Sequence, residues 1–366
     1  MPSEVSKRFL HVVGARPNFM KAAPVLAALA GRAEQTLVHT GQHYDAAMSE
    51  VFFDQLGLPA PDVDLEVGSG SHAAQTAQIM TRFEPVLLER RPDFVVVYGD
   101  VNSTVAATLV ASKLLVRVAH VEAGLRSRDR KMPEEINRLV TDTLADLLFT
   151  PSTDGDDNLR AEGVAADKIH FVGNVMIDTL VRLLPAAAAL GTRARLGLPR
   201  PYVLVTLHRP SNVDDPATLA PLLAALGRAA ASHDVVFPVH PRTRGRLAES
   251  GVAVPERIRL LEPLGYLEFL DLQREAAAVI TDSGGIQEES TFLGVPCITV
   301  RENTERPVTV TLGTNVLVGR DPLRMLAELE RALEGGTGGR ATGAVRPPLW
   351  DGRAAERIAP ILLERA

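Results

Sequence analysis

The chain lacks the features that stabilise small secreted proteins or anchor proteins in membranes. Its 366 residues include one cysteine, Cys297, so no internal disulfide can form. The apolar surroundings of Cys297 in "GVPCITV" predict a small core side chain. No stretch approaches the roughly 20 apolar residues of a membrane-spanning helix, and "MPSEVSKRFLHVV" lacks a signal-peptide layout. These features predict a cytoplasmic protein with no membrane partner.

Basic and aromatic residues are also scarce. Aromatic residues make up 4% of the chain, and 39 Lys and Arg residues stand against 45 Asp and Glu residues, for a net charge of −6. Affinity for the phosphate backbone needs a basic field over one face, so the composition argues against a nucleic-acid binder. An anionic ligand must therefore be held by a few local groups.

What the sequence does contain is a regular alternation of short apolar runs and Ala/Leu-rich segments of helical spacing. The runs include "RFLHVV", "DFVVVYGD", "RVAHVEAG" and "LLFTPS", and a second series begins at "YVLVTLHRP" after a linker-like segment. This alternation is typical of βαβ units with a parallel sheet. It predicts an α/β fold with two Rossmann-like, doubly wound domains.

The predicted domains span residues 1–182 and 183–350, and residues 351–366 form a C-terminal helix that packs on either half. Asp351 is its expected cap. Ligands of open α/β sheets bind beyond the carboxyl ends of the strands, where the polar residues of this chain cluster. If the carboxyl ends of the two sheets face each other, a cleft between the two domains is expected.

Cations follow the first strand in "GARPNFMK". Lys21 lies in the first turns of a helix, where a positive charge opposes the helix dipole unless an anion shares the site. For Lys21 or Arg16 alone, a solvated surface side chain is the simpler interpretation. The chain has no P-loop pattern and no G-x-G-x-x-G, which disfavours a kinase and an NAD enzyme.

Carboxylates follow the next strands. Asp100 in "YGDVNST" is either a cap of the following helix or a catalytic group. Glu122 enters an Arg-rich loop in "HVEAGLRSRDRK", where cations could hold it beside a substrate. Glu134 and Arg138 in "MPEEINR" share one helix face, as a surface pair or as part of a site.

In the second half, histidines and glycines stand at the strand ends. His208 and His240 suit acid–base work or contact with phosphate, although each could simply be hydrogen-bonded. In "TDSGGIQEES", the glycines after Ser283 allow backbone N–H groups to approach a diphosphate at a helix N-terminus. An ordinary tight turn explains the same pattern, and no spacing of ligands predicts a metal.

These motifs together resemble the non-hydrolysing UDP-N-acetylglucosamine 2-epimerase family, whose fold is similar to GT-B glycosyltransferases. The resemblance rests on "GARPNFMKAAPV", "TGQHYD", "HVEAGLRS", "MPEEINR", "TLHR", "TDSGGIQEE" and "LGVPCITVRENTERP". It implies an isomerase that inverts C2 of UDP-GlcNAc to give UDP-ManNAc. UDP is eliminated in an anti sense to give 2-acetamidoglucal and then adds back. The resemblance also implies that the enzyme needs neither NAD nor a metal and that it forms a homodimer.

The resemblance also implies a role for particular residues. The catalytic candidates are Asp100, Glu122, Glu134, Arg138 and His208, with Arg138 orienting Glu134. The substrate-binding candidates are Arg16, Lys21, Phe269, Ser283, Gly284, Gly285, Glu289 and Arg306, with Glu289 on the ribose and Phe269 beside uracil. The candidate regulatory residues are Gln42, His43, Gln75 and His240. Ala74 stands where regulated relatives have Arg, which predicts weak or absent activation by substrate.

Three other functions remain open. A hydrolysing relative would release ManNAc and UDP, and a GT-B glycosyltransferase would pass a sugar from UDP to an acceptor. A non-catalytic sensor of nucleotide sugars would need only the binding residues. The presence of Asp100, Glu122 and Glu134 together favours an enzyme.

Overall fold

The computed structural model describes residues 7–42, 55–198, 201–231, 233–334 and 345–366. The chain forms two compact units. The first contains Met1–Thr179 together with Pro348–Ala366, and the second contains Leu180–Pro347. Each unit is a parallel β-sheet with helices, so the predicted α/β class with two Rossmann-like halves is confirmed.

The sheet of the first unit is built from the apolar runs of the first half. Its strands are β1 (Arg8–Val13), β2 (Glu34–His39), β3 (Val63–Asp64), β4 (Phe94–Tyr98), β5 (Arg117–Val121), β6 (Leu147–Thr150) and β7 (Ile169–Phe171). They pair in parallel in the order β3-β2-β1-β4-β5-β6-β7. Every residue of β4 is buried, as expected of a central strand covered on both faces.

Helices connect these strands and pack on the sheet. They are α1 (Arg16–Leu29), α2 (His72–Arg90), α3 (Asn102–Lys113), α4 (Pro133–Leu144), α5 (Thr153–Ala161) and α6 (Val175–Ala189), which runs into the second unit. Ile79, Phe83 and Leu87 recur at helical spacing along α2 and join the core formed by Leu10, Val95 and their neighbours. Burial of these apolar faces holds the sheet and helices together.

The second unit repeats the plan. Its strands are β8 (Tyr202–Thr206), β9 (Asp234–Pro238), β10 (Ile258–Leu261), β11 (Ala278–Thr281), β12 (Cys297–Thr299) and β13 (Asn315–Leu317), ordered β10-β9-β8-β11-β12-β13 and all parallel. Its helices are α7 (Thr192–Arg195), α8 (Pro210–Val213), α9 (Pro216–Ala229), α10 (Pro241–Ser250), α11 (Tyr266–Glu275), α12 (Gly284–Leu293), α13 (Val308–Thr311) and α14 (Pro322–Glu334). None of the helices in the described ranges is long and apolar enough to cross a membrane.

Strand order reverses once in each sheet, between β1 and β4 and between β8 and β11. A cleft opens beyond the carboxyl ends of the strands at such a reversal, because the connections leave in opposite directions. The residues that follow β1, β4, β8 and β11 therefore border the expected clefts. The motifs "GARP", "YGD", "HRP" and "TDSGG" all begin at these points.

The chain returns to the first unit through Trp350 and the last helix, α15 (Ala354–Arg365), which packs against α1. Trp350 is 1% exposed, and its Nε1 donates to the carbonyl oxygen of Pro151 at 2.9 Å. The prediction that Asp351 caps this helix is wrong. The first N–H groups of α15 are instead bound by Asp178, which accepts from Ala354 at 3.0 Å and from Ala355 at 2.7 Å. A buried carboxylate on another helix thus anchors the start of α15.

Replacing Trp350 by Ala should lower the free energy of unfolding of the first unit by about 3–5 kcal/mol, because it empties a large buried volume and removes the bond to Pro151. Urea denaturation followed by circular dichroism measures the loss. The exposed Leu323 is the control, and its replacement by Ala should cost less than about 0.5 kcal/mol. Equal losses for the two variants would mean that the return segment does not stabilise the unit.

Candidate active site

Asp100 is held by an arginine from the next helix but one. In the register of β4 and β5, Tyr98 lies opposite Val121, so the turns that carry Asp100 and Glu122 leave the sheet side by side. Arg138 of α4 donates to Asp100 Oδ2 from Nε at 3.0 Å and from Nη2 at 2.6 Å. The N-cap of helix α3 is Val101, directly after Asp100.

The second partner of Arg138 is Glu135, three residues before it, and not Glu134 as the sequence suggested. Arg138 Nη1 lies 2.6 Å from Glu135 Oε2. Glu135 also accepts from the backbone N–H groups of Ser127 at 2.9 Å and Arg128 at 2.8 Å. These donors require Glu135 to face inward, while Glu134 lies half-buried beside it.

The pKa of Glu135 reflects this arrangement. Burial alone would raise it, but the donors on Ser127 and Arg128 and the charge of Arg138 outweigh burial and hold the pKa below its ordinary value. Glu135 is thus an ionised anchor for Arg138. Sequence reasoning missed this residue because both glutamates follow Pro133 and either could reach Arg138 along the helix.

Glu122 forms an ion pair with Lys21. The Nζ of Lys21 lies 2.7 Å from Glu122 Oε1, and both side chains are buried. The anion that the position of Lys21 called for is therefore a carboxylate of the protein. Burying two charges is costly, and only a close, hydrogen-bonded pair offsets that cost.

The backbone around this pair is adapted to it. Glu122 has a φ of +74°, a left-handed conformation that non-glycine residues rarely adopt and that clusters at functional sites. Gly99 has a φ of +62°, and a Cβ there would stand 2.5 Å from Lys21 Nζ. Glycine at position 99 is therefore what allows Lys21 to reach Glu122.

The candidate regulatory residues fall into separate places. Gln42 and Gln75 belong to one buried network: Gln42 Oε1 accepts from Ser103 Oγ at 2.8 Å, and Gln75 Oε1 accepts from Asn102 Nδ2 at 2.8 Å. His43 lies outside the described residues. His240 belongs to the second unit. The regulatory role of these four residues stays a prediction.

In the second unit, Asp282 organises the turn after β8. This fully buried carboxylate accepts from the N–H groups of His208 at 3.0 Å and Arg209 at 2.9 Å and from Asn212 Nδ2 at 3.0 Å. Its Oδ1 also lies 3.1 Å from Nδ1 of His208. Burial opposes its ionisation, but His208 and the other donors hold the pKa of Asp282 below its ordinary value.

His208 is thereby oriented by a carboxylate, with more than a third of its side chain exposed. The ring of His240 lies beside it, with centroids 5.7 Å apart. Burial and then the neighbouring His208 lower the pKa of His240. The sequence placed both histidines at strand ends, but it did not reveal Asp282 as the residue that holds His208.

The predicted diphosphate turn opens helix α12, whose N-cap is Ser283, without a side-chain cap bond. The two glycines differ. A Cβ on Gly284 would stand 2.6 Å from Arg306 Nη1, so glycine there admits the arginine. A Cβ on Gly285 would meet nothing within 4 Å, so the backbone there borders open space.

Other predicted binding residues are engaged within the second unit. Glu289 is buried and accepts from the hydroxyl of Tyr266 at 2.9 Å. Arg306 pairs with Glu288 at 2.9 Å and with Glu305 at 2.5 Å. Phe269 lies half-buried on α11 against the core. Their contacts with ribose, phosphate and uracil stay predictions.

The side chain of Arg16, at the start of α1, lies outside the described part of the chain. Within the described ranges, no group of three His, Cys, Asp or Glu side chains is arranged to hold a metal ion. The described residues thus place two carboxylates, Asp100 and Glu122, at adjacent strand ends of one sheet, each beside a different cation. Such a pair can exchange protons with a substrate from fixed positions.

Comparison with known proteins places this geometry in context. The family model described as UDP-N-acetylglucosamine 2-epimerase matches residues 27–363. A UDP-N-acetylglucosamine 2-epimerase of Methanococcus maripaludis is 42% identical, over 88% of this chain and 91% of that protein. A UDP-2,3-diacetamido-2,3-dideoxy-D-glucuronate 2-epimerase of Pseudomonas aeruginosa is 44% identical, over 85% of this chain and 88% of that protein.

A solved structure agrees. The crystal structure of a Methanocaldococcus jannaschii UDP-GlcNAc 2-epimerase in complex with UDP-GlcNAc and UDP has a TM-score of 0.88 and 40% identity. The match covers 98% of this chain and 99% of that one. The similarity therefore extends over both units.

Replacing Glu135 by Gln should lower the free energy of unfolding by about 2–3 kcal/mol at neutral pH, because Arg138 loses a buried partner. The pKa of Glu135 is depressed in the folded state, so its contribution is present above the ordinary value of 4.5 and is lost as the pH falls through the folded pKa. Urea denaturation between pH 3 and pH 8 should show the deficit shrinking in acid.

Glu134→Gln is the matched control, one residue away on the same helix. It should change the free energy of unfolding by less than about 0.5 kcal/mol at every pH. A larger loss for Glu134→Gln than for Glu135→Gln would overturn the assignment of Glu135 as the anchor.

Proposed function

Because this chain belongs to the UDP-N-acetylglucosamine 2-epimerase family, we propose that it inverts C2 of UDP-N-acetylglucosamine to give UDP-N-acetylmannosamine, and the reverse. The chain is an epimerase, with relatives 42% identical over most of its length. The observation in the structure that supports this reaction most is the pair of cation-bound carboxylates, Asp100 and Glu122, on adjacent strand ends.

The chemistry explains why two carboxylates are needed. The hydrogen on C2 is not acidic, so a base must remove it while the bond from C1 to the diphosphate oxygen breaks. UDP leaves and 2-acetamidoglucal remains, and a proton is then delivered to the opposite face of C2 as UDP returns. One base on each face accounts for inversion, and Asp100, Glu122 and Glu134 are the candidates.

The cations hold these groups in place. Lys21 Nζ lies 2.7 Å from Glu122 Oε1, and Arg138 Nη2 lies 2.6 Å from Asp100 Oδ2. Each carboxylate is thereby held at a fixed position beside a positive charge, as a base that must reach one carbon atom requires.

We assign the UDP part of the substrate to the second unit. The N-terminus of α12 favours an anion, and its first turn presents the backbone N–H groups of Gly284 and Gly285. The N–H of Ser283 donates to Thr281 Oγ1 at 3.0 Å, so we assign the hydroxyl of Ser283 to the phosphate. His208, fixed by Asp282, can donate to the oxygen that carries the developing negative charge when UDP leaves. Glu289 is assigned to the ribose hydroxyls.

The sugar itself has two candidates. The relative that is 44% identical is named for UDP-2,3-diacetamido-2,3-dideoxy-D-glucuronate, which differs from UDP-N-acetylglucosamine at C3 and C6. Both sugars carry the 2-acetamido group at the carbon that is inverted. The reaction is thus the same for either, and a direct comparison of kcat/KM decides which one the chain prefers.

Incubating the protein with UDP-N-acetylglucosamine in D₂O and following the mixture by NMR tests the function. UDP-N-acetylmannosamine with deuterium at C2 is the expected product. Free N-acetylmannosamine with UDP would instead identify a hydrolysing enzyme, and failure to convert either sugar would point to a transferase or a sensor. The same run with the diacetamido glucuronate tests the second sugar.

Glu122→Gln tests the residue assignment in that assay. Its kcat should fall by at least about 100-fold, since proton transfer by a positioned group contributes that much or more. Glu249→Gln, at an exposed carboxylate paired with Arg246, is the control and should keep the wild-type rate. Exchange of C2–H at the wild-type rate in Glu122→Gln would remove Glu122 from the mechanism.

The family resemblance also leads us to propose a cytoplasmic homodimer. Sedimentation velocity of the purified chain should give about twice the mass of 39.3 kDa. A monomer at micromolar concentration would contradict the proposal.

A further inference from the structure

A buried histidine, His120, lies close to the turns that carry Asp100 and Glu122. His120, in β5, is fully buried, and its Nδ1 lies 2.6 Å from Asp142 Oδ1 of α4. Its Nε2 lies 2.7 Å from the carbonyl oxygen of Gly99. A carbonyl oxygen only accepts hydrogen bonds, and so does an ionised carboxylate. If Asp142 is ionised, both ring nitrogens of His120 must carry a hydrogen.

The surroundings of Asp142 favour its ionised form. Its Oδ2 accepts from Arg126 Nη1 at 2.7 Å and from the N–H of Gly124 at 3.1 Å. Burial opposes ionisation, but these two donors, one of them a cation, favour the charged form of Asp142 independently of His120. Charge-assisted hydrogen bonds of this kind are the strong ones in a protein interior.

Arg126 connects this cluster to the surface. Its Nε and Nη2 donate to the two oxygens of Glu162, at 2.8 Å and 2.6 Å, and Glu162 is exposed. The buried part of the cluster is therefore His120, Asp142 and Arg126, and the two acceptors on the His120 ring carry the assignment of its charge.

The backbone groups that this cluster binds belong to the two turns of the site. Gly99, whose carbonyl accepts from His120, immediately precedes Asp100. Gly124, whose N–H donates to Asp142, lies two residues after Glu122. Asp142 lies on α4 one turn beyond Arg138, the residue that holds Asp100. The two turns and the helix are therefore tied together at one point.

We propose that His120, as an imidazolium, and Asp142 are positioning residues that fix the distance between the carboxylates of Asp100 and Glu122. The inference rests on the proposed function and adds residues that touch neither the substrate nor the reacting atoms. Proton transfer to opposite faces of one carbon needs bases placed to within about 0.5 Å, and a 1 Å error can cost about 100-fold in rate.

The same sheet supplies a matched comparison. His11, in β1, is also fully buried, and its Nδ1 lies 2.7 Å from the hydroxyl of Tyr98. Burial lowers the pKa of His11 to about 3, so this ring is neutral. Tyr98 directly precedes Gly99, which makes His11 a stringent control for disturbance of the same strand.

The charge state is tested without any measurement of activity. The nine histidines are labelled with ¹³C and ¹⁵N in the whole wild-type protein, and ring nitrogen shifts are recorded at neutral pH, with the rings of His120 and His11 assigned by through-bond correlation to their own backbone signals. We expect both nitrogens of His120 to be protonated and His11 to be neutral. A His120 ring with one unprotonated nitrogen would overturn the proposed imidazolium.

The positioning role is tested by kinetics with the UDP-sugar that the wild type converts. His120→Asn places its amide near Nδ1 and keeps the link to Asp142, whereas His120→Gln reaches toward Gly99 and loses Asp142. Both should lower kcat by about 10–100-fold and change KM by less than about threefold, because most of the candidate UDP-binding residues, such as Ser283, Gly284 and Glu289, lie in the other unit. His11→Asn should lose thermal stability to a similar extent and keep kcat within about threefold.

Each outcome bears on one idea. Equal kcat for His120→Asn and His11→Asn, at matched loss of thermal stability, would reduce His120 to a structural residue. A rise in KM as large as the fall in kcat would also contradict positioning. A wild type that converts no UDP-sugar would reject the proposed function, while the ¹⁵N spectrum still decides the imidazolium if the His120 variants do not fold.

Discussion

A buried carboxylate must have a cation or several donors beside it, and this constraint organises the first unit. Glu122 has Lys21, Asp100 and Glu135 share Arg138, and Asp142 has Arg126 and His120. Two of the charged residues in the loop after β5, Glu122 and Arg126, belong to these pairs. Helix α4 matters most, since it brings both Arg138 and Asp142 to the same edge of the sheet.

The parallel sheet makes that arrangement possible. All strands of the first unit end at one edge, and the register of β4 and β5 places the turns after Tyr98 and Val121 side by side. The apolar strands supply stability and a fixed frame, while the turns supply chemistry. The second unit uses the same design, with Asp282 after β11 holding the turn after β8 that carries His208.

Unusual backbone conformations mark where the frame has been adapted for function. Glu122 holds a left-handed φ of +74°, which costs on the order of 1 kcal/mol or more and persists only if its surroundings enforce it. Its ion pair with Lys21, the glycine at 99 and the two bonds of His120 together provide that enforcement. The proposed catalytic role of Glu122 and the strain at its backbone thus concern the same local structure.

The sequence by itself determined the α/β class, the two doubly wound halves and the strand ends that carry Asp100, Glu122, His208 and Ser283, because apolar runs, turns and helical spacing are local signals. The partners were decided only by the tertiary structure. Lys21 and Glu122 are 101 residues apart, and nothing in their local patterns links them. Helical spacing allowed Arg138 to pair with Glu134 or Glu135, and the N–H groups of Ser127 and Arg128 selected Glu135. Partner choice depends on distances between elements, which the folded sheet sets and the sequence pattern does not contain.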